Sequence, residues 1–186
     1  AKQPEVLSNI SPTKKKTKVV KLKIEQGAGI APKELSVIQH KALAAQIEFQ
    51  TPPSPKYDNG SLTLVDGQLG ARSWKGNEWL GFDSDSVSFD IVFDQPIKVK
   101  EIRIHTLHDP NSWIWAAQTY KITLNKFGCG NGIADGYSTD EILQIKVSDK
   151  HVKQIHVTIY GISKIPSGQP GAGNTPWLFL DEIEIR

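Results

Sequence analysis

Hydrophobic and polar side chains alternate along most of this 186-residue chain, and this period of two constrains its fold more than any other feature. Residues 86–93, with the sequence SVSFDIVF, place four apolar side chains on one face of an extended segment: Val87, Phe89, Ile91 and Phe93. Six further runs alternate similarly: residues 18–25, 99–107, 120–124, 141–147, 152–162 and 177–186. Successive side chains of a strand point to opposite faces, so these runs and the turns between them predict antiparallel, half-buried strands.

Helical periodicity is weak throughout the sequence. The nearest candidate for a helix is residues 33–49, but the second half of that segment also reads as the entry of a strand. About seven short strands with polar turns are typical of an all-β sandwich or a closed barrel, and we favour the sandwich. The sheet faces of a sandwich are occupied by packing, so functional residues are expected in the loops at one end.

Charge and hydropathy exclude some classes of partner. The 22 basic and 20 acidic residues nearly balance, which is not the strong basic excess of a dedicated nucleic-acid-binding protein. No run approaches the roughly 18 apolar residues that a membrane-spanning helix needs. The single cysteine, Cys129, excludes an internal disulfide framework and lies in a glycine-rich segment, residues 126–138, that reads as a loop with an unreactive thiol.

The first part of the chain differs in composition from the rest. Residues 11–18 (SPTKKKTK) form a basic connector, and residues 25–34 form a Gly- and Pro-containing turn region. The main domain is therefore predicted to span residues 36–186. Residues 1–35 would be a tail or linker, or the end of a preceding module.

Motifs of known catalytic sites are missing from the sequence. No GxSxG, HExxH or phosphate-binding loop occurs. Carboxylates are present, for example Asp83, Asp85 and Asp109, but a glycosidase needs two that face each other across a cleft, and the sequence does not place such a pair. The sequence therefore predicts a non-catalytic domain.

Four separated motifs, in order and at consistent spacing, resemble one family. They are VDGQLG at residues 65–70, WLGF at 79–82, DPNSWI at 109–114 and WLFLDEI at 177–183. Together they resemble the discoidin (coagulation factor 5/8 type C) domain, as found at the C-terminus of bacterial β-hexosaminidases (chitobiases), and carbohydrate-binding module family 32. The resemblance covers about 150 of the 186 residues, with an alanine, Ala116 or Ala117, where the family usually has proline. It implies a galactose-binding-like jelly-roll β-sandwich of about eight antiparallel strands.

The resemblance also implies a function. It predicts a non-catalytic carbohydrate-binding accessory module of a secreted, β-hexosaminidase-like glycoside hydrolase, with a location outside the bacterial cytoplasm: secreted, periplasmic or on the cell surface. Its partners would be a glycan with a terminal galactose- or N-acetylhexosamine-type sugar and the catalytic domain of the parent chain, with no nucleic acid and no membrane insertion. The alternative is a structural or protein-interaction sandwich that braces a catalytic domain without binding glycan.

Ligands of such modules lie in loops at one end, with the apolar face of a sugar ring stacked on an aromatic side chain and polar residues around the rim. The candidate ligand-binding residues are Arg72, Trp74, Trp79, His108, Asp109, Asn111, Trp115 and Trp177. Each tryptophan also has a structural interpretation: Trp79 as a core residue beside Gly81, and Trp177 as part of the terminal strand motif. Of the closely spaced pair, Trp113 is expected to pack under its loop and Trp115 is the candidate sugar platform.

A structural calcium ion is the one cofactor that the resemblance implies. Many discoidin-type modules hold Ca2+ with an Asp near the Asp-Gly turn and a Glu near the final strand, and hard oxygen ligands of this kind suit calcium. Asp66 and Glu182 match these positions. Gly70 and Ala71, however, stand where a Ser or Thr ligand is expected.

Overall fold

The computed structural model of the chain describes residues 37–126, 131–137 and 141–186, all within the unit Leu35–Arg186. The predicted strand at residues 18–25 and Cys129 lie outside the described residues. The described residues form seven strands: β1 (Gln46–Phe49), β2 (Leu80–Phe82), β3 (Ser86–Thr106), β4 (Thr119–Lys126), β5 (Asn131–Tyr137), β6 (Ile142–Tyr160) and β7 (Leu178–Ile185). Short 3-10 turns occur at Pro55–Tyr57, Ser61–Leu64 and Pro110–Ser112. Every strand pairing is antiparallel, which confirms the all-β prediction.

The long strands β3 and β6 pair from Ser86↔Tyr160 at one end to His105↔Ile142 at the other. Register shifts between Val92 and Ile97, and between Val99 and Glu101, interrupt this ladder. One half of the ribbon is extended by β1, β4 and β5, and the other half by β7 and β2. Because β-bulges bend a ladder, the ribbon supplies strands to both layers of a sandwich.

The alternating side chains of both layers meet in one core. Val87, Phe89 and Ile91 from the first half of the ribbon and Ile102 and Ile104 from the second are all fully buried in the same cluster. Strand β7 is buried along its whole length, charged residues included. It must therefore be covered on both faces, and loops at residues 37–45 and 66–71 contact it through backbone and side-chain hydrogen bonds.

Residues 33–49, the nearest candidate for a helix, contain none over their described part: the chain makes a turn at residues 41–44 and then enters β1 at Gln46, in agreement with the strand entry that the sequence indicated. One local prediction needs correction. The predicted glycine-rich loop at residues 126–138 instead contains β5, which pairs with β4 through its backbone. Gly136 suits this strand because a Cβ there would lie 2.4 Å from Tyr120 Oη. The described residues include no helix that is long and apolar enough to cross a membrane.

Candidate functional site

Both ends of the β3–β6 ribbon lie beside the loop formed by residues 107–118. At one end Gln118 N donates to Tyr160 O at 2.7 Å, and at the other Thr106 N donates to Glu141 O at 2.7 Å. The loop at residues 69–79 joins them, since Trp74 Nε1 donates to Ser112 Oγ at 2.9 Å. The sandwich therefore gathers the predicted ligand-binding loops at one end.

A cavity of about 280 Å³ opens at this end, and seven residues line it: Arg72, His108, Trp115, Ala116, Ala117, Gln118 and Glu141. It brings together three of the predicted ligand-binding residues from two loops that are distant in sequence. Gln118 and Glu141 were not predicted. The signal for Glu141 was its position as the first residue of the alternating run 141–147, which places it at the end of a strand.

The polar wall of this cavity consists of a cation, a carboxylate and an imidazole. Arg72 Nη2 lies 3.6 Å from Glu141 Oε2, with the Arg72 side chain 92% exposed. Glu141 Oε1 accepts a 3.2 Å hydrogen bond from the backbone N–H of His108. His108 Nδ1 accepts a 3.5 Å hydrogen bond from the backbone N–H of Ala116. Donors and acceptors thus stand side by side, as recognition of hydroxyl groups requires.

Trp115 provides the aromatic surface of the cavity. Its ring lies 5.1 Å from the His108 ring at 81°, an edge-on arrangement. Two backbone hydrogen bonds connect this loop to Trp177, the residue directly before β7. Trp115 N donates to Trp177 O at 3.1 Å, and Trp177 N donates to Trp113 O at 2.8 Å. Trp115 Nε1 is buried and has no hydrogen-bond partner among the described residues. The backbone hydrogen bonds and the contact with the His108 ring therefore set the position of the indole, which is the aromatic surface that a sugar ring could stack on.

Trp113 does not pack under the loop as expected. Its side chain is 40% exposed, and its backbone has a left-handed φ of 63°, which is rare for a bulky residue. The ring lies against Gly171, where an added Cβ would be 2.4 Å from Trp113 Cε2. The prediction that Trp113 packs under its loop is therefore wrong, because the left-handed backbone conformation directs its side chain outwards over Gly171.

Trp79 is a core residue and not a ligand contact of the cavity, so its assignment as ligand-binding is corrected. It is 4% exposed and packs with Leu107, Ile114 and Phe179. Its Nε1 donates to Ala71 O at 2.9 Å. Trp79 thereby fixes the backbone beside Arg72, and its contribution to the site is indirect.

Trp74 and Trp177 surround Tyr57 and do not line the cavity. Their rings meet the Tyr57 ring edge-on, at centroid distances of 5.8 Å and 5.2 Å. Both are half-buried against the same cluster as Trp79. Trp74 and Trp177 therefore pack beneath the loops as structural residues, which favours their structural interpretation over a role in ligand binding.

Neither Asp109 nor Asn111 lines the cavity: Asp109 precedes the 3-10 turn Pro110–Ser112, and Asn111 lies within it. Asp109 Oδ2 accepts a 2.6 Å hydrogen bond from Ser112 Oγ, and its backbone pairs with Ile114. Asp109 therefore stabilises the turn that precedes Trp113. Asn111 is exposed at the tip of this turn.

Buried carboxylates on β7 hold the loop that leads to Arg72. Asp181 accepts hydrogen bonds from the backbone N–H groups of Gly70 and Glu182, each at 2.7 Å, and Glu182 accepts one from Gly67 at 2.6 Å. Burial raises the pKa of the Asp181 carboxyl to about 6, although both N–H groups and the nearby His105 act in the opposite direction. These bonds satisfy groups whose burial would otherwise be costly.

The contacts of Asp66 and Glu182 do not fit the calcium site that the resemblance implies. Asp66 accepts two hydrogen bonds from Gln68, from its backbone N–H at 2.8 Å and from Nε2 at 3.2 Å. Glu182 Oε1 lies 3.0 Å from His40 Nε2, although without hydrogen-bond geometry, and both side chains are fully buried. Calcium takes oxygen ligands, and here N–H groups face the carboxylates. No cluster of three or more His, Cys, Asp or Glu side chains suited to a metal occurs in the described ranges.

A serine–histidine–aspartate row on the outer face of the sandwich was missed by sequence reasoning. Ser88 Oγ lies 3.3 Å from His156 Nε2, and His156 Nδ1 lies 2.9 Å from Asp90 Oδ1. The Ser88 backbone N–H, however, already donates to Thr51 Oγ1 at 3.2 Å, so it is not free to stabilise an oxyanion. Asp90 and His156 are directly paired across β3 and β6, and we assign the row to cross-strand pairing.

A larger cavity of about 510 Å³ lies elsewhere, between β1, the turn at Ser61–Leu64 and the bend at residues 92–97. Phe93, the one aromatic residue in its lining, is only 6% exposed. Such a ring cannot present a face to a sugar. Size alone therefore does not identify the ligand site.

No family model and no curated protein matches the sequence of this chain. Among solved structures, it is similar to CpGH89CBM32-4 from Clostridium perfringens, with 15% identity, a TM-score of 0.53, and coverage of 79% of this chain and 98% of that one. A chitosan-binding module from a Paenibacillus sp. IK-5 chitosanase/glucanase gives 12% identity, a TM-score of 0.53, and coverage of 80% and 98%. A Streptococcus pneumoniae fucose-binding module gives 14% identity, a TM-score of 0.53, and coverage of 80% and 94%.

The similarity extends to one part of larger proteins. For the structure of SpGH29 the identity is 13% and the TM-score is 0.51. The match covers 79% of this chain but only 27% of the SpGH29 chain. At these identities the comparisons concern the fold alone. The chain has the β-sandwich fold of carbohydrate-binding modules such as CpGH89CBM32-4, which is the fold that its four motifs implied.

Proposed function

We propose that this chain is a non-catalytic glycan-binding module whose ligand enters the 280 Å³ cavity at the loop end. The observation that carries the proposal is the meeting of Arg72, His108 and Glu141 with the Trp115 ring in one opening. A pyranose ring has an apolar face for the indole and hydroxyl groups for the polar wall. The fold of solved carbohydrate-binding modules supports the same class of ligand.

The ligand we propose is a terminal sugar of the galactose or N-acetylhexosamine type. One stacked ring and a few hydrogen bonds must offset the cost of ordering both partners, so we expect Kd values of roughly 0.1–1 mM. The similar structures are named for other glycans: fucose, chitosan and, for the lectin domain of lectinolysin, Lewis B antigen. Those names support glycans as a class and do not select the sugar.

The proposal includes a parent protein. We propose a secreted, periplasmic or cell-surface bacterial glycoside hydrolase, β-hexosaminidase-like, in which this module accompanies the catalytic domain. The similar module named CpGH89CBM32-4 and the part of SpGH29 that this chain spans support such an arrangement. Asp66 and Glu182 would then belong to the fold of the module and not to its chemistry.

The test is an NMR titration of the chain with methyl glycosides of galactose, N-acetylgalactosamine and N-acetylglucosamine. Arg72→Ala and Trp115→Ala should each weaken binding at least tenfold, because one removes the cationic donor and the other the stacking surface. Lys153→Ala, an exposed cation on β6, and Leu62→Ala, an exposed apolar side chain by the other cavity, are matched controls and should bind as the parent does.

Two results would contradict the proposal. If no sugar shifts any resonance at tens of millimolar, the chain is better described as a structural sandwich that braces a neighbouring domain. If both site variants bind as the parent does and melt at the same temperature, glycan binds elsewhere on the domain.

A further inference from the structure

A second cavity of about 190 Å³ adjoins the first. The two share Arg72 and Glu141, so this ion pair stands between them. The remaining lining of the second cavity is Leu69, Gly70, Trp79, His105, Thr106, Leu107, Ile142 and Asp181. A substituent on a sugar ring in the first cavity therefore has a neighbouring space to enter.

Two apolar side chains with large exposed fractions lie in the lining of the second cavity, beside the charged pair Arg72 and Glu141. Leu69 is 47% exposed and Ile142 is 43% exposed, and both lie in its lining. Buried apolar side chains, Leu107 at 3% and Trp79 at 4%, lie behind them. The exposed parts of these two side chains belong to one lining, where together they can contact a small apolar group.

Polar groups lie at the inner end of the same cavity. Asp181 is 2% exposed, and its two oxygens each accept one backbone hydrogen bond, from Gly70 and from Glu182. A carboxylate accepts about four hydrogen bonds, so capacity for a further donor remains. His105 is directed elsewhere, with Nε2 at 3.1 Å from Glu184. Arg72, at the border of both cavities, supplies donors.

From this arrangement we infer that the second cavity receives the acetamido group of a 2-acetamido-2-deoxy sugar whose ring lies in the first cavity. The methyl group contacts Leu69 and Ile142, the amide N–H donates to the Asp181 carboxylate, and the amide carbonyl accepts from Arg72. A hydroxyl group has no methyl, and the methyl of a deoxy sugar has no N–H, so neither meets all three features. The inference rests on the proposed function and selects between its two sugar classes.

The experiment compares matched pairs of ligands. Methyl β-galactoside and methyl β-glucoside are each titrated against their 2-acetamido counterparts, with methyl α-fucoside as a methyl-bearing sugar without an amide. The acetamido sugars should bind about five- to tenfold more tightly, since one buried methyl and one added hydrogen bond discriminate on this scale. In Leu69→Ser and Ile142→Ser, the ratio of the two Kd values should fall towards one, and it should stay at the parent value in Leu62→Ser, whose leucine is 58% exposed outside both cavities.

Each other outcome has a defined meaning. If the parent chain binds both members of a pair equally, the second cavity does not receive the acetamido group, while the proposed function stands. A preference that survives both rim substitutions places acetamido recognition elsewhere and overturns the inference, as does a fucoside that binds more tightly than every acetamido sugar. If none of the sugars binds, the proposed function itself fails and this inference with it.

Discussion

Replacing Gly70 with alanine is expected to destabilise the domain by about 2–4 kcal/mol. A Cβ at this position would lie 2.3 Å from Trp79 Cε2 and 2.4 Å from its Nε1, where ordinary contacts begin at 3.4 Å. Since Trp79 is 4% exposed, its ring cannot move the required distance of about 1 Å without disturbing its neighbours. Overpacking of this kind costs about 1–3 kcal/mol, and loss of the Trp79 hydrogen bond to Ala71 adds about 1 kcal/mol.

Urea denaturation measures this loss directly, and the melting temperature should fall by roughly 4–16 °C. Gly173→Ala is a control without a clash: an added Cβ there meets no atom within 4 Å, so its loss of stability reports only the strain of alanine at a left-handed φ of +86°, which Gly70→Ala does not have. Trp79→Phe should partly rescue Gly70→Ala, because the smaller ring leaves room for the methyl group. If Gly70→Ala melts within about 2 °C of the parent chain, the contact between Gly70 and Trp79 does not constrain the loop.

Three further outcomes are expected. Burial raises the pKa of Asp181 from 3.8 to about 6, so the native state holds this proton more tightly than the unfolded chain does. The stabilisation from this group is therefore complete below pH 3.8, and the free energy of unfolding should fall by about 3 kcal/mol as the pH rises to about 6. Urea titrations at several pH values should show this decrease, and Asp181→Asn should remove it. Calcium or EDTA should move the melting temperature by less than about 1 °C, since N–H groups already face Asp66 and Glu182; a rise of several degrees with calcium would show a metal site. The chain should hydrolyse no aryl glycoside, and turnover lost in Asp109→Asn would reveal a catalytic carboxylate.

The strands were predictable wherever alternation was clear, as at Val87, Phe89 and Ile91, which are all fully buried. The continuity of β3 from Ser86 to Thr106 was not predictable in this way. The alternating runs 86–93 and 99–107 were identified as separate segments, yet the structure joins them with residues 94–98 into one strand that has a register shift against β6. A bulge depends on what the partner strand offers, and that information is not local in the sequence.

The candidate site was predicted in part for a similar reason. Arg72, His108 and Trp115 come from loops that the motifs place at the same end, and they do line one cavity. A motif gives the position of a tryptophan but not the direction of its ring. Trp79 is directed inwards by the space that Gly70 leaves, and Glu141 was read as the start of a strand when it is also the carboxylate of the site.

The hydrogen bonds from Gly67 and Gly70 to β7 have a consequence for synthesis. They join residues that are 115 and 111 positions apart, so the loop before Arg72 cannot take its final shape until Asp181 and Glu182 have left the ribosome. The amide protons of Gly67 and Gly70 should then exchange with solvent as slowly as those of the central strands, although they lie in a loop. Removal of the last six residues should unfold the domain and abolish ligand binding with it, because the buried Ile183 and Ile185 of β7 would be lost together with the carboxylates that hold the loop.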